Sequence, residues 1–146
     1  MIIVTGGAGF IGANLVSKIN QKGNSNIIIV DNIKKNKKNI NNLKFKDYYD
    51  KNDFLLKINN KRFKGNINCI IHLGACSDTT ETNWEYLKFN NILYTKKLYE
   101  FSKNKNCQFI YASSGSIYGN QSGDSLKNRF KYKPLNLYGK SKLEVD

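Results

Sequence analysis

Tyr138 and Lys142 have the types and the spacing that most directly suggest chemistry in this 146-residue chain. They are four positions apart, so on a helix they would lie on the same face. A lysine ammonium beside a tyrosine hydroxyl favours the phenolate, the form that can take a proton from an alcohol. The same pair is common on ordinary surface helices, so it indicates a catalytic base only together with other signals.

A serine near this pair could hold the reacting oxygen of an alcohol. The apolar run Gln108-Phe109-Ile110-Tyr111 predicts a strand, and three serines follow it. We predict that Ser114, rather than Ser113 or Ser116, is the catalytic serine.

The element that would bring a cofactor to these residues is the turn Thr5-Gly6-Gly7-Ala8-Gly9-Phe10-Ile11-Gly12. The apolar run Met1-Ile2-Ile3-Val4 before it predicts a buried parallel strand. After it, Ile11, Leu15 and Ile19 recur every four residues, which predicts a helix ending near residue 23.

The three spaced glycines of this turn have different predicted roles. Gly6 can adopt the backbone angles of a tight turn, Gly9 lets the main chain approach a phosphate, and Gly12 lets the helix pack against the strand. The free N–H groups at the helix N-terminus favour an anion. The turn therefore predicts dinucleotide binding, although its spacing is G-x-x-G-x-x-G rather than G-x-G-x-x-G.

Asp31 closes a second predicted strand, Ile27-Ile28-Ile29-Val30. An acid about 20 residues after a glycine turn is placed to hydrogen-bond the adenosine ribose of NAD. Four lysines that could meet the 2′-phosphate of NADP follow it: Lys34, Lys35, Lys37 and Lys38. The residues by themselves leave both cofactors open.

The remaining pattern predicts a doubly wound parallel α/β sheet, Rossmann-like, over residues 1–146 as one dinucleotide-binding domain. Further strands are expected around residues 43–48, 67–73 and 108–111, and helices near residues 53–58, 84–101 and from residue 133. His72, on the fourth strand, is predicted to be a core residue rather than a catalytic base. Asn90 and Asn91 interrupt the apolar stripe of the long helix, so we expect one of them to orient a cofactor loop.

The net charge of +13 is almost entirely lysine. Only Arg62 and Arg129 are arginines, and asparagine and isoleucine are abundant beside lysine, so we predict a generally basic surface rather than a nucleic-acid site. Cys69, Cys76 and Cys107 form no C-x-x-C pair, and with a single histidine they predict neither disulfides nor a metal site. No signal peptide or membrane-length apolar run is recognisable, which predicts a cytoplasmic protein.

Taken together, these motifs resemble the extended short-chain dehydrogenase/reductase family, the NAD-dependent epimerases and dehydratases. The resemblance covers essentially the whole chain and rests on T-G-G-A-G-F-I-G, Y-A-S-S-x-x-x-Y-G and Y-G-K-S-K. Within the family, V-D-N-x-K, H-x-G-A-C-S-x-T-T-E and K-P-L-N-x-Y-G are similar to the ADP-heptose 6-epimerase branch.

The resemblance implies catalytic roles for Ser114, Tyr138 and Lys142. It implies cofactor contacts, besides Gly6, Gly9, Gly12 and Lys142, at Phe10, Ile11, Asp31, Asn32, Lys38, Lys51, Leu73, Gly74, Ala75, Cys76, Ser77 and Asn90. Leu73 departs from the family pattern, in which an acid is expected, so only a backbone contact would survive there.

The resemblance further implies an epimerase that uses tightly held NADP, acts on ADP-heptose for lipopolysaccharide core synthesis, and assembles as a homo-oligomer. Another nucleotide-sugar 4-epimerase or dehydratase, or a non-catalytic NAD(P)-binding remnant, is the alternative. Family members continue for about as many residues again, so we expect a chain truncated after about five strands. Without the substrate-binding half, the chain alone is expected not to epimerise its substrate.

Overall fold

Five parallel strands form the single sheet in the computed structural model, which describes residues 1–32, 37–120 and 132–146. They are β1 (Ile2–Thr5), β2 (Ile27–Asp31), β3 (Asp47–Asp50), β4 (Cys69–His72) and β5 (Gln108–Tyr111). Their spatial order is β3-β2-β1-β4-β5, and every neighbouring pair is parallel. This order is that of a Rossmann-like sheet, which confirms the predicted fold class.

Five α-helices alternate with these strands in the described residues. They are α1 (Phe10–Gln21), α2 (Lys51–Asn59), α3 (Trp84–Leu87), α4 (Tyr94–Asn104) and α5 (Leu137–Leu143). A π-helical segment, Lys88–Leu93, joins α3 to α4, and two short 3-10 helices lie at Lys37–Ile40 and Gly115–Ile117.

The chain divides into two compact units. The first comprises Met1–Gly74 and Lys97–Tyr111 and contains the whole sheet. The second comprises Ala75–Lys96 and Ala112–Asp146 and contains α3 and α5. That residues 1–146 form one dinucleotide-binding domain remains a prediction.

Alternating side chains of the strands give the sheet of the first unit two apolar faces. On one face, Val4, Ile27 and Ile29 pack with Val16 of α1 in a fully buried cluster. Three aromatic rings form a second cluster, in which Phe63 lies 5.4 Å from Phe54 of α2 and 5.8 Å from Phe101 of α4 between ring centroids.

The third strand lies later than the expected residues 43–48, because the apolar residues that suggested it belong to a connection. Leu43 and Phe45 pack against the α1 face of the core without being part of a strand. β3 itself reads Asp-Tyr-Tyr-Asp, a polar pattern that suits an edge strand. The other strands overlap their predicted positions.

Candidate functional site

The glycine turn after β1 is closed by contacts that only glycine permits. Gly6 has a φ of 68°, and a Cβ there would lie 2.7 Å from the backbone nitrogen of Gly74. A Cβ on Gly12 would overlap the carbonyl oxygen of Gly6. These two glycines therefore bring α1 and the chain after β4 against the end of β1, as the sequence predicted for a tight turn.

Gly9 differs from them because the space beside it is open. It is the N-cap of α1, and a Cβ there would meet only the carbonyl oxygen of Gly6, at 3.2 Å. The next two side chains are unusually exposed for apolar residues, Phe10 at 84% and Ile11 at 69%. An open helix N-terminus bordered by exposed apolar side chains fits a dinucleotide pyrophosphate with its flanking groups.

Asp31, at the end of β2, holds the glycine turn in place. Its carboxylate accepts hydrogen bonds from the backbone N–H of Ala8 at 2.9 Å and of Asn32 at 2.7 Å. Asn39 donates to the carbonyl oxygen of Ala8 at 2.8 Å, which ties the first 3-10 helix to the same turn. Lys38 precedes Asn39 and is exposed.

Two of the other lysines considered for a 2′-phosphate, Lys34 and Lys35, lie outside the described residues. Lys37 begins the first 3-10 helix, and its side chain is not among those described. The cofactor-selecting role of Lys38 stays a prediction.

The end of β3 adds charged residues to the same edge of the sheet. Asp50 of β3 lies opposite Asp31 of β2 in the strand register. It also caps α2, which begins at Lys51. Burial, followed by the carboxylates of Asp31 and Asp50, raises the pKa of Tyr48 to about 12. The Tyr48 hydroxyl has no hydrogen-bond partner among the described residues.

At the end of β4, His72 lies in the core, where the sequence placed it. Its Nδ1 and the Thr5 hydroxyl are 2.5 Å apart, and both residues are 2% exposed. Leu73 packs its side chain against the α1 face of the core and donates its N–H to the Thr5 carbonyl at 3.0 Å. The predicted cofactor contacts of Leu73 and Gly74 stay predictions.

In the second unit, Asn91 fixes the backbone at Cys76. Its side-chain oxygen accepts from the Cys76 N–H at 2.8 Å, and its amide donates to the Cys76 carbonyl at 3.0 Å. The π-helical segment adds a residue to the turn and buries both neighbouring asparagines. Asn90 donates instead to the Tyr86 carbonyl at 2.8 Å. The loop-orienting residue expected at one of these positions is therefore Asn91.

Asn91 also reaches the helix that carries the predicted base. Its amide donates to the Ser141 hydroxyl at 2.8 Å, and that hydroxyl donates to the Tyr138 carbonyl at 2.7 Å. Ser141 is fully buried. One asparagine thus connects the Cys76 loop to α5, a link that no local sequence signal predicts.

Asn136 and Gly139, which no sequence signal singled out above, fix the position of α5. Asn136 caps the helix by accepting from the Gly139 N–H at 2.7 Å. A Cβ on Gly139 would lie 2.8 Å from the Ser116 carbonyl, so α5 passes very close to the loop after β5. An asparagine just before a helical pattern is a known capping signal, whereas the close approach at Gly139 depends on tertiary structure.

The three predicted catalytic residues all lie in the second unit. Tyr138 is half-buried on the first turn of α5, and Ser114 caps the 3-10 helix with its hydroxyl 2.8 Å from that of Ser116. Lys142 is only 4% exposed and donates to the Ala112 carbonyl at 2.5 Å. Burial lowers the pKa of the Lys142 amine to about 8. Their catalytic roles remain predictions.

The buried amine makes stability depend on pH. In the unfolded chain the Lys142 amine has a pKa of 10.5, whereas in the folded chain it releases its proton near pH 8. The unfolded state therefore binds more protons in this window, and stability should rise with pH, by on the order of 3 kcal/mol at most. Urea unfolding of the wild type and of Lys142→Met from pH 7 to 10 measures the difference. Parallel curves for the two proteins would contradict this.

No helix among the described residues is long and apolar enough to cross a membrane. Within the same residues, no group of three or more histidine, cysteine or acidic side chains could hold a metal ion. The described cysteines, Cys69, Cys76 and Cys107, are free thiols.

In a comparison with protein families, the chain matches the model of the NAD-dependent epimerase/dehydratase family over residues 2–146. Among solved structures, the chain is similar to ADP-L-glycero-D-manno-heptose-6-epimerase from Helicobacter pylori, with 30% identity and a TM-score of 0.85. The match covers 99% of this chain and 48% of that protein.

Two other similar structures are 4-epimerases. That of UDP-glucuronic acid 4-epimerase from Bacillus cereus, solved with UDP-glucuronic acid and NAD, has 27% identity and a TM-score of 0.78, covering 99% of this chain and 49% of that protein. That of UDP-N-acetylglucosamine 4-epimerase from Methanobrevibacter ruminantium has 25% identity and a TM-score of 0.80, covering 99% and 47%. The chain thus spans about half the length of these proteins.

Proposed function

The chain belongs to the NAD-dependent epimerase/dehydratase family, and we propose that it is the cofactor-binding half of a nucleotide-sugar epimerase using NADP. The observation that carries the proposal is the arrangement on α5. A buried lysine amine held on a backbone carbonyl lies one turn after a half-buried tyrosine. The ADP-heptose branch is favoured as the substrate class by the 30% identity with the Helicobacter pylori enzyme and by the sequence motifs.

In this proposal each residue of the second unit has a separate task. Tyr138 takes the proton from the substrate hydroxyl at C6, as general base. The Ser114 hydroxyl holds that oxygen during the transfer. Lys142 supplies the nearby positive charge, because an amine with a pKa of about 8 keeps its proton at neutral pH.

The first unit would hold the cofactor. The open N-terminus of α1 at Gly9 would receive the pyrophosphate, and Asp31, Asn32 and Lys38 would contact the adenosine ribose. Bound NADP supplies a nicotinamide that accepts hydride from the sugar carbon and returns it to the opposite face. Because the cofactor is regenerated in each turnover, the reaction needs no external oxidant. The proposed compartment is the cytoplasm, whose reducing state suits the three free thiols.

The test is a fusion in which this chain replaces the matching half of the Helicobacter pylori enzyme. We expect the fusion to interconvert the C6 epimers of ADP-heptose, as measured by NMR. Tyr138→Phe in the fusion should lose roughly a thousandfold in turnover while NADP affinity stays unchanged.

The alternatives predict other results. A folded fusion that binds NADP and acts on UDP-sugars instead of ADP-heptose would place the chain among the 4-epimerases. A fusion that binds NADP and acts on none of them would identify a non-catalytic NAD(P)-binding remnant. Full turnover in the Tyr138→Phe fusion would remove Tyr138 from the mechanism.

Cofactor choice can be tested on the chain itself through Lys38. Asp31 favours a free 2′-hydroxyl, whereas the exposed Lys38 beside the anchored Asn39 would attract a 2′-phosphate. Charge-assisted contacts contribute about 1.5–3 kcal/mol, so Lys38→Ala should weaken NADP binding roughly ten- to hundredfold and leave NAD nearly unchanged. Calorimetry with both cofactors measures this, with the exposed Lys44→Ala as control. Equal losses for NAD and NADP would mean that Lys38 does not read the phosphate.

A further inference from the structure

A cavity lies at the end of the sheet opposite the glycine turn. Its volume is about 390 Å³, and it is lined where the strands begin, by Met1, Ile28, Asp47 and Asn68 among others. We call it the basic pocket. Each strand of this sheet has four or five residues, so the two ends of the strands are about 13 Å apart. The basic pocket is therefore separate from the candidate cofactor site.

The lining of the basic pocket is strongly cationic. Lys46, Lys57, Arg62 and Lys64 border it, and Asp47 is the one acidic residue among its lining side chains. The ion pairs found in the described part of the chain lie elsewhere, so none of these four cations is neutralised by one.

Asp47 is itself already engaged in hydrogen bonds. Its carboxylate accepts from the Tyr48 N–H at 2.8 Å. A second hydrogen bond, from the Tyr49 hydroxyl, raises the pKa of that tyrosine. Since four cationic side chains line the pocket beside this one carboxylate, the pocket keeps an excess of positive charge.

The side chains that line the pocket include both polar and aromatic groups. The Lys57 amine lies 4.8 Å from the centroid of the Tyr49 ring, which packs edge-on against Phe63 at 6.4 Å. The backbone of Arg62 is next to that of Lys57, because the Arg62 N–H donates to the Lys57 carbonyl at 2.9 Å. Arginine binds phosphate through a planar, bidentate fork, and Arg62 is one of only two arginines in this lysine-rich chain.

We propose that the basic pocket binds a small organic phosphate, with Lys57 and Arg62 on the phosphate and the Tyr49 ring against the organic part. The cavity is within the size range of small-molecule sites and larger than a phosphate group needs. This site is independent of the proposed epimerase function, because it lies in the first unit away from the glycine turn.

The test is calorimetry at low ionic strength with ADP and with inorganic pyrophosphate, on the 146-residue chain. Lys57→Ala/Arg62→Ala should weaken ADP binding by at least about tenfold, because two charge-assisted contacts are lost. The matched control is Lys22→Ala/Lys103→Ala, which removes the same charge from exposed positions, one of them also a lysine over a tyrosine ring. Circular dichroism of each variant checks that it is folded.

ADP can also reach the glycine turn, so the titrations are repeated in Gly9→Val. The proposal requires binding that persists in Gly9→Val, is lost in the pocket variant, remains in the control and is tighter for ADP than for pyrophosphate. It is overturned by any of four results: no binding, equal loss in the control, loss in Gly9→Val, or equal affinity for pyrophosphate. A short single-stranded oligonucleotide that binds the pocket more tightly than ADP would also overturn it, in favour of a nucleic-acid surface.

Discussion

Gly9→Val should weaken NADP binding by roughly a hundredfold or more and leave the fold intact. Gly9 has an extended backbone that a β-branched residue can adopt, with φ −70° and ψ 173°. The added Cβ would meet only the Gly6 carbonyl at 3.2 Å, which a small shift relieves. The rest of the valine side chain would occupy the open space at the N-terminus of α1, where a pyrophosphate must approach the backbone.

Calorimetry with NADP measures the loss, and thermal unfolding checks the fold. Gly12→Ala provides the opposite control, because its Cβ would overlap the Gly6 carbonyl and should lower the melting temperature. Undiminished NADP affinity in Gly9→Val would refute the assignment of the glycine turn as the cofactor site. Together the two variants separate a glycine required by a ligand from one required by packing.

The features that could be predicted from the sequence are those with local causes. The glycine turn, the strand before it and the helix after it are encoded within about 20 consecutive residues. Asp31 was recognisable because its distance from that turn is fixed by one strand–helix–strand unit. The parallel sheet followed from the alternation of apolar runs with helical patterns.

Features that depend on distant contacts could not be located in this way. The apolar Leu43 and Phe45 resemble strand residues, but the core that they cover is built by α1 and β2. Asn90 and Asn91 are equally polar, and only the π-helical turn decides which one faces the Cys76 loop. The basic pocket gathers residues from four strand ends, so no single stretch of sequence indicates it.

The second large effect is expected for Asn91→Leu, which should destabilise the chain by about 2–4 kcal/mol. Leucine has the same branched arrangement of side-chain heavy atoms as asparagine, so the change removes polar contacts without creating a cavity, and its bulkier methyl groups add some crowding. It leaves the Cys76 N–H and the Cys76 carbonyl without their partner. It also removes the donor to the Ser141 hydroxyl, which keeps its own bond to the Tyr138 carbonyl. An unsatisfied buried polar group costs about 1–3 kcal/mol, less where water can reach it, as at the half-buried Cys76.

Urea unfolding monitored by circular dichroism measures this cost. Asn14→Leu is the matched control, because Asn14 makes a single exposed hydrogen bond from a helix, to the Phe10 carbonyl at 2.8 Å. That variant should change stability by less than about 0.5 kcal/mol. Equal effects of the two substitutions would show that Asn91 does not hold the Cys76 loop and α5 together. Since Ser141 also donates to the Tyr138 carbonyl, a real loss at Asn91 would show that the position of the proposed base depends on a residue 47 positions earlier in the chain.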